Sequence, residues 1–244
     1  MRRIVYCMIA ALPLISCGSK SSDNYEDDDD SATTEDASSS WLGDKECADV
    51  PGAVDLGLSV LWADRNVGAS TPSDYGGYYA WGETSTKSNY SWSSYQYFHD
   101  QDGNGVPYDS NWNTQANELT NIGSNIAGSR YDVARQAWGG GWKLPTKAQW
   151  EELRSRCTWT WTTEGGHSGY KVTGPNGNSI FLPAAGYRVG TSSNYVGSHG
   201  YYWSATLNEG DTRYAWYLGF HSGYRSMASS RRNFGHTVRP VTEK

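Results

Sequence analysis

Past residue 157 the chain is cut repeatedly by sequences that turn a backbone. Gly165-Gly166, Pro175-Asn176-Gly177, the run GTSS at 190–193 and Ser222-Gly223 supply positive φ, a fixed φ or side chains that bond their own backbone. What lies between them is short, which favours strands joined by turns over helices. Upstream, residues 54–63 (VDLGLSVLWA) alternate in part between Pro51-Gly52 and Gly68, and residues 75–83 (YGGYYAWGE) are aromatic and glycine-punctuated, so strands and a turn are expected in both. Residues 89–113 form a long polar and aromatic loop. Two helices are expected. Residues 131–138 end at Gly139-Gly140-Gly141, which cannot continue a helix. Residues 146–156 open on a capping box, Thr146 with Gln149, and carry apolar Trp150 and Leu153. Strand, helix, helix, then many short antiparallel strands with long loops is an α+β order. With 28 Gly, 12 Trp and only 19% charged residues, a helical bundle is excluded.

The start of the chain is of another kind. Arg2 and Arg3 precede an apolar stretch at 4–15, shorter than the roughly 20 residues that span a bilayer as a helix. Residues 1–16 therefore read as a removable signal. Leu14-Ile15-Ser16-Cys17 resembles the bacterial lipobox, which makes Cys17 the lipidated first residue of the mature chain. Residues 17–45 are Ser, Asp, Glu and Thr with little to bury, an expected disordered acidic tether. The acidic run at 26–30 resembles the export tracts of Bacteroidetes surface lipoproteins. Residues 46–244 remain for one domain, long enough for one well-buried core.

Charge divides along the same boundaries. The signal carries +2 and residues 17–44 carry −8, while the remainder has 17 basic and 17 acidic residues. The domain is neutral, which argues against nucleic acid as a partner. Its two cysteines, Cys47 and Cys157, are an even pair in an exported protein, so a disulfide is the default and a pair of free thiols the alternative.

Among chemistry-bearing motifs, residues 100–105 (DQDGNG) place Asp100, Asp102 and Asn104 at the first, third and fifth positions of a calcium loop. Asn111 stands where such a loop needs a glutamate. An Asp/Asn/Gly turn explains the same letters. Calcium is thus the one candidate cofactor. No HExxH, GxSxG or phosphate-binding glycine loop occurs. The five histidines, His99, His167, His199, His221 and His236, lie scattered and read as solvated. Trp92, Trp112, Trp159 and Trp161 stand in less constrained stretches and are candidates for exposure.

The tail carries the most information. In residues 214–221, Trp216, Leu218 and Phe220 alternate with Tyr217, Gly219 and His221, the pattern of a half-buried strand. Ser222-Gly223 reads as a hairpin turn, with residues 224–228 returning. Five arginines and no acid lie between Thr212 and Thr242. The expected display set is Tyr217, His221, Tyr224, Arg225, Arg232 and Phe234, drawn from residue types that make adaptable contacts in binding loops.

The segments LGLSVLWADRNVGA (56–69), YGGYYAWGE (75–83), WGGGWKLPT (138–146), FLPAAG (181–186), YYWS (201–204) and VRPV (238–241) together resemble the Fibrobacter major paralogous domain over most of residues 51–243. The resemblance implies a C-type-lectin-like fold, shared with formylglycine-generating enzyme and with retroelement-diversified binding proteins. Relatives of the enzyme work through a late cysteine pair, and no cysteine follows Cys157, so the implied role is not catalytic. Many relatives carry a cysteine where this chain has Arg65. Across residues 217–236 the composition is similar to the variable segment of the diversified proteins. The expectation is an outer-membrane lipoprotein, anchored by lipid and surface-exposed, that binds an extracellular protein or glycan ligand. The alternative is a structural envelope or appendage subunit.

Overall fold

The computed structural model describes residues 51–99 and 119–244. The strands are β1 (Ala53–Asp55), β2 (Leu61–Ala63), β3 (Thr158–Glu164), β4 (His167–Thr173), β5 (Ser179–Pro183), β6 (Tyr187–Val189), β7 (Ser192–Asn194), β8 (His199–Leu207), β9 (Tyr214–His221), β10 (Tyr224–Arg231) and β11 (Val241–Thr242). The helices are α1 (Val133–Trp138) and α2 (Lys147–Arg156), with a 3-10 turn at Trp92–Ser94. The architecture is α+β, in small antiparallel sheets ordered β1-β2-β11, β10-β9-β8 and β3-β4-β5, with a β6-β7 ribbon.

Both helices begin where capping chemistry places them. The Thr146 hydroxyl accepts from Gln149 N at 3.2 Å while Gln149 Oε1 accepts from Thr146 N at 2.8 Å, which satisfies two orphan donors of the first turn of α2. Asp132 caps α1 by accepting from Ala134 N, and its other oxygen takes Gly128 N and Leu144 N. Burial pushes its carboxyl up, against the pull of those backbone bonds. Gly139 ends α1 at φ 65°.

Trp150 and Leu153 of α2 are wholly buried against Trp62, Tyr170, Val172, Leu182, Tyr202, Leu218 and Phe220. This core lies between α2, the β3-β4-β5 sheet and one face of β8-β9-β10. A second core gathers Trp81, Ile126, Val133, Leu144, Trp203 and Val238, and a third Tyr90, Trp92, Tyr95 and Leu119. Two buried guanidiniums tie distant segments together. Arg239 donates to Asn66 Oδ1 and to the carbonyls of Ala63, Asp64 and Phe181, and burial lowers it to about 10. Arg232 donates to Tyr95 Oη and to the carbonyls of Thr212 and Thr120.

Three expectations need correction here. Residues 75–83 form no strand beyond one bridge, Tyr79 with His236, because the tyrosines and Trp81 go into the cores rather than into a ladder. Trp92 is 6% exposed, a core residue. Trp159 and Trp161 are half-buried against Tyr170 and Phe220, not displayed. No helix among the described residues is long and apolar enough to cross a membrane.

Candidate functional site

Register decides what the tail presents. β9 pairs with β8 through His199↔His221, Tyr201↔Gly219 and Trp203↔Tyr217, and with β10 through Tyr224↔His221 and Ala228↔Tyr217. Side chains alternate between the faces of a sheet. His199, Tyr201, Tyr217, His221 and Tyr224 therefore share one face, and Tyr202, Leu218 and Phe220 share the other, where they are buried. The inward reading of Leu218 and Phe220 is correct. Trp216 lies on the same side but only half-buried, with Lys147 Nζ 3.5 Å from its ring centroid.

The outward face is a connected array of rings. Tyr201 stacks on Tyr217 at 5.5 Å and meets Tyr187 of β6 at 4.8 Å. Phe234 stacks on Tyr187 at 5.8 Å. His199 bridges Tyr195 at 4.7 Å and His221 at 5.0 Å, and His221 stacks on Tyr224 at 5.3 Å. The floor is His236, 1% exposed and stacked on Trp203 at 4.0 Å. Among the described residues the exposed large apolar side chains are Tyr195 (56%), Val196 (45%) and Tyr224 (53%), and both tyrosines belong to this array.

Tyr195 is also the one non-glycine among the described residues with positive φ, at 56°, a conformation that costs about 1–2 kcal/mol for a residue with a Cβ. Its carbonyl accepts from Ser198 N, His199 N and Ser198 Oγ, which holds the turn. The loop lies directly on Gly186, where a Cβ would collide with Asn194 O and Val196 N. That collision explains the glycine of FLPAAG. A strained residue held in place while its ring faces solvent is the arrangement found at ligand clamps.

Electrostatically the face is neutral. Burial, then neighbouring phenols, pushes Tyr201 up; burial also raises Tyr187 and Tyr217. Burial, then His221, pushes His199 down, which favours its uncharged imidazole. No acidic residue occurs in 187–207 or 214–242. The described residues of the ring array include no carboxylate. What it offers is flat apolar rings edged by hydroxyl and imidazole groups.

Of the six expected display residues, Tyr217, His221 and Tyr224 share this face, and Phe234 joins it through Tyr187. Two do not. Arg225 pairs with Phe220 across the ladder, so it faces the other way, its guanidinium 5.5 Å from the Trp159 ring. Arg232 is 2% exposed, drawn inside by three acceptors and by the rings of Trp81 and Tyr95. His199, Tyr201, Tyr187 and Tyr195 complete the face and lie outside the expected display set. The alternation of His199, Tyr201 and Trp203 in HGYYW is the signal that finds the first two. The histidines are not scattered and solvated throughout, since three of the five meet here. Cys17, Cys47, Asp100, Asp102 and Asn104 lie outside the described residues. Cys157 closes α2 as a buried cysteine bonded to no other described residue, and burial raises its thiol to about 11. Among the described residues no three His, Cys, Asp or Glu side chains are grouped to hold a metal ion.

A family model described as a domain of unknown function, DUF8237, matches residues 161–241. That span runs from β3 into β11 and contains every residue of the aromatic array. No curated protein and no solved structure matches the chain.

Proposed function

We propose that this chain is a lipid-anchored surface lipoprotein of the outer membrane. Its single domain, similar to the Fibrobacter major paralogous domain and of C-type-lectin-like fold, binds an extracellular glycan or protein without catalysis. The observation that carries the reading is the aromatic array, half-exposed on a sheet whose other face is locked into the core. Exposed aromatic patches rimmed by polar groups mark interaction sites, and Tyr is a frequent anchor of such interfaces. The site motifs, the lipobox-like start and the acidic tether support the same placement from the sequence.

One experiment addresses anchor and site together. The Cys17→Ala chain is expected in the soluble fraction, and is then screened over immobilised cell-surface glycans and secreted proteins. Nitration of its accessible tyrosines, Tyr195 and Tyr224 foremost, is expected to abolish whatever binding the screen finds. Retention of the variant in membranes refutes the anchor, and binding that survives nitration places the site elsewhere.

A further inference from the structure

Arg225, turned away from the aromatic face, lines a concavity together with Arg154 of α2. The hairpin tip and the last turn of α2 enclose a shallow dish of about 370 Å³ lined by Arg154, Ser155, Gly223, Tyr224 and Arg225, at the small end of the range for small-ligand sites. Two guanidiniums thus line one concavity. Neither forms an ion pair or a hydrogen bond with another described residue, and Arg225 Nε is buried without a partner. The nearby carboxylate of Glu152 is committed elsewhere, to Ser59 N, Ser59 Oγ and Arg156. Buried and half-buried guanidiniums are ordinarily met by carboxylates or carbonyls, as Arg232 and Arg239 are in this same molecule. The α2 C-terminus favours cations at Arg154 but leaves their donors free. Tyr224, half exposed and with its ring stacked on His221, borders the dish at the tip, and Ser155 adds a hydroxyl.

We propose that this dish binds the carboxylate or sulfate of an acidic sugar, with the sugar ring against Tyr224 and the anion between Arg154 and Arg225. A pyranose bearing an acid presents an apolar face and an oxyanion on one rigid ring, which matches an aromatic ring beside two unpaired forks. The inference shares Tyr224 with the binding reading but does not depend on it, since Arg154, Ser155 and Arg225 lie off the aromatic face.

The test is calorimetric titration of the full chain at low salt with a galacturonate trisaccharide and with a sulfated galactose trisaccharide. A neutral galactose trisaccharide and triglutamate form the comparison arms. Saturable binding of at least one acidic sugar is expected, weakened at least tenfold by Arg154→Gln and likewise by Arg225→Gln, and weakened by added salt. Arg225→Gln gives up only the guanidinium's contact with the Trp159 ring, and Arg154→Gln lies on a helix surface, so each variant is expected to melt within a few degrees of the wild type. Tyr217→Ala, on the aromatic face, is expected to leave this affinity within twofold even if it abolishes the binding proposed above. The proposal is overturned if neither acidic sugar saturates, if the glutamine variants bind like the wild type, or if the neutral sugar binds equally. Triglutamate binding as tightly as the sugars overturns it in favour of an acidic peptide.

Discussion

His236 sits where a histidine is least at ease. It is 1% exposed, stacked on Trp203, with Nδ1 lacking a hydrogen-bond partner and Nε2 3.3 Å from Ser230 Oγ. Desolvation holds its pKa well below 6.5. The folded state therefore keeps it neutral, while the unfolded chain takes up a proton below pH 6.5. Stability is complete above that value and falls as pH drops below it, by up to about 1.4 kcal/mol per unit. His199, also lowered, adds to the loss in the same window, whereas the lowered Asp55, Asp74 and Asp211 act only below pH 4. Urea unfolding at pH 7.5 and 5.5 is expected to show this loss, and His236→Phe, which keeps the stack, is expected to remove at least half of it. An undiminished loss in the variant means that His236 is not held neutral. Neither this residue's burial nor that of Arg232 was legible in the sequence. The first depends on the bridge of Tyr79 to His236 and the second on carbonyls from residues 120 and 212, and no local pattern encodes contacts that distant.

Elements show where local pattern suffices. The capping box of α2, the glycine stop of α1 and the alternation through β9 all involve interactions within a few residues, so the letters specify them. The return strand shows how a single turn decides a site. Ser222-Gly223 is a two-residue connection with Gly223 at φ 82°, so Tyr224 takes the face of His221 and Arg225 must take the other. Reading both as displayed together broke the period of two. The inner face is locked by a similar economy of space: Phe220 lies opposite Gly200, and a Cβ there would collide with its ring. Phe220→Ala is expected to destabilise the domain by about 3–5 kcal/mol. Gly200→Ala is expected to cost about 1–3 kcal/mol by overpacking, but far less in the Phe220→Ala background, where the ring is gone. Equal costs of Gly200→Ala in both backgrounds, measured by denaturant unfolding, would show that the two residues do not meet.

At the scale of the molecule, the described domain has small sheets and loops tied by buried arginines. The α+β order was legible because turn signals and helix caps are local. The extent of the face was not, since Tyr187 and Tyr195 reach it from a ribbon that pairs with neither β9 nor β10. The central claim is that this face binds and does not merely pack. Its most direct measurement is the triple variant Tyr195→Ala, His221→Ala, Tyr224→Ala, compared with the wild type for thermal stability and for binding to the ligand found in the screen. All three side chains are exposed, and removing Tyr195 and Tyr224 uncovers little core, so each substitution is expected to change stability by no more than about 0.5 kcal/mol. Binding is expected to be lost while the melting transition stays in place. A variant that binds like the wild type, or one that unfolds, contradicts the account: the first because the face does not touch the ligand, the second because the rings serve the fold.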